Sequence, residues 1–121
     1  MKRSEEPGTP LGTFEEQVML AVLRTGAEAY GMSVRRELEK VTGRSITIGS
    51  VYVTLDRLEA KGLVSSERSA PATRAKGSRE ETASRRVFAV TSEGARTLVE
   101  TKQMRERLWR GIAPRALLRN A

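Results

Sequence analysis

The run Val18-Met19-Leu20-Ala21-Val22-Leu23 is apolar without interruption. Thr13 ahead of it, with Glu16 three residues on, matches a capping box that starts a helix, and Gly26 stops that helix after about Thr25. Wound into a helix, such a run is apolar all round for nearly two turns, whereas a helix on the surface of a domain shows a single apolar stripe. One side therefore faces the helix's own core and the other needs a second cover. A chain of 121 residues holds one domain and one modest core, so a second subunit is the cover at hand. A helix buried centrally in a monomer is the alternative.

Glycines and prolines divide the remainder. Pro7, Gly8 and Pro10 make residues 1–10 a flexible arm. Gly31 opens a second helix, Met32 to about Thr42, with Val34, Leu38 and Val41 on one face, and Gly43 closes it. After the extended link Ser45-Ile46-Thr47, a third helix from Ile48 to about Lys61 buries Ile48, Val51, Leu55 and Leu58 and ends at Gly62. Leu63 to Arg68 and Arg85 to Val90 read as two strands of a hairpin whose tip, 69–84, is long and basic. Thr91 caps a final helix from about Ser92, carrying Ala95, Leu98, Val99, Met104, Leu108, Trp109 and Ile112, with Pro114 after Gly111 marking its end.

The expected class is mostly α with a small β-hairpin (α+β). The order helix, helix, helix, hairpin, helix is that of a winged helix-turn-helix, here residues 11–91, followed by a C-terminal dimerisation helix and tail over 92–121.

The absence of Cys and His excludes disulfides, thiolate or imidazole zinc sites, haem on His, and Cys or Ser-His-Asp nucleophiles. A carboxylate site would have to use acids such as Asp56 and Glu59, which look surface-exposed and imply no pocket, so neither an enzyme nor a metal or cofactor is expected. The balance of 22 Lys and Arg against 15 Asp and Glu, net +7, favours a polyanionic partner, with nucleic acid ahead of an anionic membrane. No apolar stretch is long enough to span a bilayer and Met1 to Pro10 lacks a signal-peptide core, so a soluble, cytoplasmic protein is expected.

Helical phase places Ser50, Val53, Thr54 and Arg57 on the outer face of the third helix, with Thr47 at its start and Tyr52 at the boundary between faces. Hydroxyls reach base edges or phosphates, Val53 can meet a thymine methyl, and Arg57 can fork onto guanine. An ordinary solvated face is the alternative. Around the hairpin tip, Arg68, Arg74, Lys76, Arg79, Arg85 and Arg86 suit a phosphate backbone, while Glu80 and Glu81 would repel it. That acidic pair is the sole sequence support for a rival reading, a protein-interaction module of the same fold that has lost specific DNA binding.

Leu11-Gly12-Thr13-Phe14-Glu15, Ala29-Tyr30-Gly31, the run Gly49 to Val64 (GSVYVTLDRLEAKGLV) and Arg85 to Gly94 (RRVFAVTSEG) together resemble the PadR family of bacterial transcriptional regulators. The resemblance implies a homodimeric, sequence-specific, nucleoid-associated protein, usually a repressor, that reads a pseudo-palindrome in double-stranded DNA. It places the third helix in the major groove, the wing along the minor groove, and Tyr30 and Tyr52 near the DNA backbone; a core role is the alternative for either tyrosine. It also implies that the C-terminal helix pairs with the partner's first helix, which makes Phe14, Met19, Leu20, Leu23, Leu98, Met104, Leu108, Trp109 and Ile112 interface candidates. Some members bind flat aromatic effectors at that interface, where Trp109, with Phe14 and Met104, would stack on one; simple packing of the dimer is the alternative for Trp109. The wing is longer than is typical of the family, and the region after Leu98 is short, as in the subgroup with a single C-terminal helix.

Overall fold

The computed structural model describes residues 11–69 and 85–119. The expected arm at 1–10 and the wing tip over 70–84, with Arg74, Lys76, Arg79, Glu80 and Glu81, lie outside the described residues, as do 120 and 121. The order is α1 (Thr13–Thr25), a single 3-10 turn (Gly26–Glu28), α2 (Gly31–Thr42), α3 (Ile48–Ala60), β1 (Val64–Ser69), β2 (Arg85–Val90), α4 (Ser92–Trp109) and α5 (Pro114–Arg119). This is the mostly helical, hairpin-bearing winged helix-turn-helix expected.

The N-cap of α1 is Gly12, and the Glu15 carboxylate accepts its backbone N–H at 3.0 Å. The capping acid is thus Glu15, one residue ahead of the Thr13–Glu16 pair. Val18, Met19, Ala21 and Val22 are buried, while Leu20 and Leu23 are 42% and 52% exposed. The apolar run is therefore covered on one side only. Met19 belongs to the covered side, which removes it from the interface candidates: its side chain fills the protomer's own core beside the start of α4.

Val34 and Leu38 of α2 and Val51, Leu55 and Leu58 of α3 complete the helical core, whereas Val41, expected on the same face, is exposed near the end of α2. The link between α2 and α3 is held by side chains of α2. Arg35 Nε donates to the Ile46 carbonyl at 2.8 Å, and Glu39 accepts the Ile46 N–H at 2.8 Å. Both backbone groups of one linker residue are satisfied, which fixes how α3 leaves the turn.

The antiparallel register runs from Val64 opposite Val90 to Ser69 opposite Arg85. Strand alternation turns Val64, Ser66, Arg86, Phe88 and Val90 toward the helices and Ser65, Glu67, Arg85 and Ala89 away. Phe88 is buried, and its N–H donates to the Ala29 carbonyl at 2.7 Å, so the hairpin is pinned to the segment entering α2. Thr91 caps α4 as expected, accepting the Gly94 N–H at 2.9 Å and donating to the Gly62 carbonyl at 2.7 Å. A Cβ on Gly94 would stand 2.1 Å from the Leu63 carbonyl oxygen, so glycine is what lets α4 cross the foot of β1 this closely.

Leu98 and Thr101 are the buried side chains that α4 adds beyond its first turn. Leu98 joins the protomer core and so is removed from the interface candidates. Thr101 accepts the Leu11 N–H at 3.3 Å, and Arg105 pairs with Glu16, tying α4 to α1. α4 ends at Trp109, ahead of Pro114, and the tail beyond it forms a further short helix. Proline occupies the first position of α5, where a missing N–H costs no helical hydrogen bond, and Ile112 lies in the connection. Among the described residues no helix is long and apolar enough to cross a membrane.

Candidate nucleic-acid interface

Helix α3 begins at Thr47, whose Oγ1 accepts the Ser50 N–H at 3.2 Å while Ser50 Oγ donates to the Thr47 carbonyl at 2.8 Å. Both hydroxyls are exposed and neither is fully saturated by these bonds. Beyond them Val53 is 56% exposed, and Arg57, one turn further, is also exposed. Ser50, Val53 and Arg57 follow at spacings of three and four residues and so form one ridge. Thr54 does not belong to it. At 5% exposure Thr54 lies with Val51, Leu55 and Leu58 on the covered side, because the core stripe of α3 is wide enough to include its shoulder.

Tyr52, half-exposed, folds back over the N-terminus of α2. A Cβ built on Gly31 would fall 2.3 Å from its Cζ and Oη, so the phenol occupies the space a side chain would take. Tyr30 precedes Gly31 and caps α2, its N–H donating to Ser33 Oγ at 3.0 Å. Over the Tyr30 ring, at 4.0 Å from its centre, sits the Arg85 guanidinium from β2. Arg85, Tyr30, Gly31 and Tyr52 thus form a continuous surface from the wing strand to the flank of α3. A guanidinium stacked on a ring can still turn its N–H edge to an anion.

Arg86 is placed differently from its neighbour. Its Nη1 lies 3.1 Å from Asp56 Oδ1 and its Nη2 lies 2.7 Å from Glu59 Oε1, both on α3. Glu59 also accepts the Ser66 hydroxyl from β1 at 2.9 Å, and the guanidinium rests 4.8 Å from the centre of the Phe88 ring. Burial works against the charged guanidinium, but the hydrogen bonds and charges of Asp56 and Glu59 outweigh it and raise the pKa above the ordinary arginine value. Two of the guanidinium's five N–H donors thus meet carboxylates, which it neutralises in part, so Arg86 is engaged within the protomer where the sequence suggested a phosphate contact.

Other ion pairs brace the frame. Lys61, at the end of α3, meets Glu15 at 2.8 Å. Burial raises the Glu15 pKa, but hydrogen bonds from Lys61 and the Gly12 N–H, with the charges of Lys61 and Arg57, hold it below the usual carboxylate value. Arg24 and Glu37 join α1 to α2 at 2.6 Å beside a cavity of about 380 Å³ whose lining includes Leu20, Leu23, Leu38 and Val41. Trp109 does not line that cavity. Phe14 and Met104 are half-buried, and Leu108, Trp109 and Ile112 are exposed. Among the described residues no group of three or more carboxylates could hold a metal ion.

Sequence reasoning thus anticipated the exposure of Ser50, Val53 and Arg57, and missed the pairing of Arg86 with Asp56 and Glu59 as well as the part of Ser66. The signal was present: Asp56 and Glu59 are spaced to share one flank of α3, and Arg86 and Phe88 share one face of β2.

The model of the PadR-like family of transcriptional regulators matches residues 19–100. No curated protein matches the chain. Among solved structures, a PadR family regulator from Eggerthella lenta is 27% identical, with 78% of this chain and 76% of that one covered and a TM-score of 0.59. The complex structure called hsRosR-SG is 27% identical over 93% of this chain and 88% of that one, with a TM-score of 0.60. A PadR-like transcription factor from Bacteroides fragilis has the same fold at 23% identity and a TM-score of 0.62, with 87% and 88% covered. The family consists of regulators rather than enzymes, and with its match running from the core of α1 into α4, this chain belongs to the PadR-like transcriptional regulators.

Proposed function

We propose that the protein is a homodimeric, sequence-specific repressor that reads a pseudo-palindromic operator in double-stranded DNA through α3 and the wing. The observation that carries this reading is the exposed, acid-free ridge of Ser50, Val53 and Arg57, flanked by Tyr52 and by Arg85 on Tyr30. Arg57 offers a bidentate fork to guanine, Val53 an apolar contact to a thymine methyl, and the Thr47 and Ser50 hydroxyls contacts to phosphate or base edges. Arg85 meets the backbone. Two copies would present two ridges about one helical turn of DNA apart or a multiple of it.

The uncovered Leu20 and Leu23 of α1, together with Leu108, Trp109 and Ile112 near the end of the chain, support pairing of two protomers. A flat aromatic effector stacking on Trp109 would reach it there, and quenching of its fluorescence by such a compound tests this. Selection from a random duplex pool, followed by titration of the winner and of scrambled DNA at two salt concentrations, tests the main reading. A palindromic winner favoured about a thousandfold establishes it. Weak binding that ignores sequence and vanishes with salt overturns it.

A further inference from the structure

Two consecutive arginines of β2 have opposite surroundings. Arg85 lies over the Tyr30 ring at the entrance to α2, whereas Arg86 bridges two acids of the reading helix. The bridge extends to the other strand, since Glu59 also holds Ser66 of β1. Asp56, Glu59, Arg86 and Ser66 therefore join α3 to both strands of the wing. Ser66 lies midway along the paired strands, opposite Phe88, which enters the core, and Arg86 lies two pairs nearer the tip, opposite Arg68. This is the joint that sets the angle between the helix meant for one groove and the hairpin meant for the next.

We infer that Arg86 is a positioning residue for sequence selectivity: it clamps the wing to the reading helix through Asp56 and Glu59 and makes no phosphate contact of its own. The inference rests on the DNA-binding reading above. Its physical basis is geometric. A planar guanidinium faces two carboxylates at once, each through a different Nη held in a fixed plane, and so resists rotation of the hairpin about α3 more than an ammonium, whose three donors rotate freely on a flexible stem. The same contact offsets the two acids that α3 would otherwise bring unpaired toward a polyanion. Selectivity suffers when the joint loosens, because base contacts depend on the register that backbone contacts impose.

The experiment uses the full chain and the operator it selects. Arg86→Gln is titrated with operator and with scrambled duplex across a salt series, beside Arg86→Lys and Glu59→Gln, with thermal melts confirming that each variant is folded. Arg86→Gln is expected to lower operator affinity about tenfold more than scrambled-DNA affinity, which falls only by what the uncompensated charges of Asp56 and Glu59 cost, with the salt slope unchanged. Arg86→Lys fails to restore the preference, although it restores the charge. Glu59→Gln also lowers the operator preference, even though removal of a negative charge near DNA would by electrostatics alone tighten binding to every duplex. Arg86→Gln weakening both duplexes equally and shallowing the salt slope by about one contact makes Arg86 a phosphate ligand and overturns the inference, as does full rescue by lysine. If Arg86→Gln keeps the wild-type preference, the clamp is dispensable and the inference alone fails. A wild-type chain that selects no operator overturns the DNA reading and this inference with it.

Discussion

The reading head and the C-terminal segment handle apolar surface in opposite ways. In the head, Val51, Leu55, Leu58, Val64 and Phe88 are all buried, and ion pairs join α1 to α3 and α3 to β2. From the middle of α4 onward, Val99, Leu108, Trp109, Ile112, Leu117 and Leu118 are exposed, the last at 77%. The head covers the greater part of its apolar surface, Leu20 and Leu23 of α1 excepted, and the C-terminal segment carries apolar groups that its own protomer does not cover. Local order in the head is thus a property of one chain, while the C-terminal segment gains most from a second surface.

The comparison can be broken most severely at Leu58. Leu58→Ala removes a fully buried side chain under α3 and should cost about 2 to 5 kcal/mol in denaturant unfolding. A melt unchanged by it would mean that the phase of the helix is wrong. Gly94→Ala pushes a methyl into the Leu63 carbonyl, which is backbone and cannot swing aside, so a loss of about 1 to 3 kcal/mol is expected from the same assay. Of similar size, but seen only in binding, Arg57→Ala should cost about 1 to 3 kcal/mol on the selected operator and blur one base position. Thr54→Val, being buried, should leave the preferred sequence intact.

Smaller effects sharpen the contrast. Glu15 has a pKa below its usual 4.5, so its contribution to stability is complete above that value and fades as the pH falls through the lowered one. Glu15→Gln should therefore lower stability at pH 7 by under about 1 kcal/mol and flatten the acid limb of the stability profile, as read by melts between neutral and acid pH. Leu108→Ala, at the exposed end of α4, should leave the unfolding of a dilute protomer within about 0.5 kcal/mol of wild type and weaken self-association in sedimentation. Equal stability losses at Leu108 and Leu58 would erase the distinction between the two regions.

Most of the fold was legible because its signals are local. Gly26, Gly43 and Gly62 lie at helix ends, Thr91 is the cap that its sequence position suggested, and β2 runs from Arg85 to Val90 as read. The capping acid of α1 was misassigned by one residue, because Glu15 and Glu16 are adjacent and only the turn of the chain at Gly12 selects between them. The ridge Ser50, Val53, Arg57 was legible for the same reason as the core stripe opposite it. Thr54 was not, since a residue on the shoulder of a helix is covered or left open according to the width of what packs beside it.

By itself the sequence determined where the helices start and stop, which face of α3 meets the core, and that a cationic hairpin follows it; these depend on spacings of three, four and two residues and on backbone preferences that act within a few positions. Only the tertiary structure decided that Met19 and Leu98 belong to the protomer core, that Thr54 is covered, and that Arg85 and Arg86 part company. Each of those outcomes depends on which side chain of a distant element comes within contact range, and chain spacing carries no record of that distance.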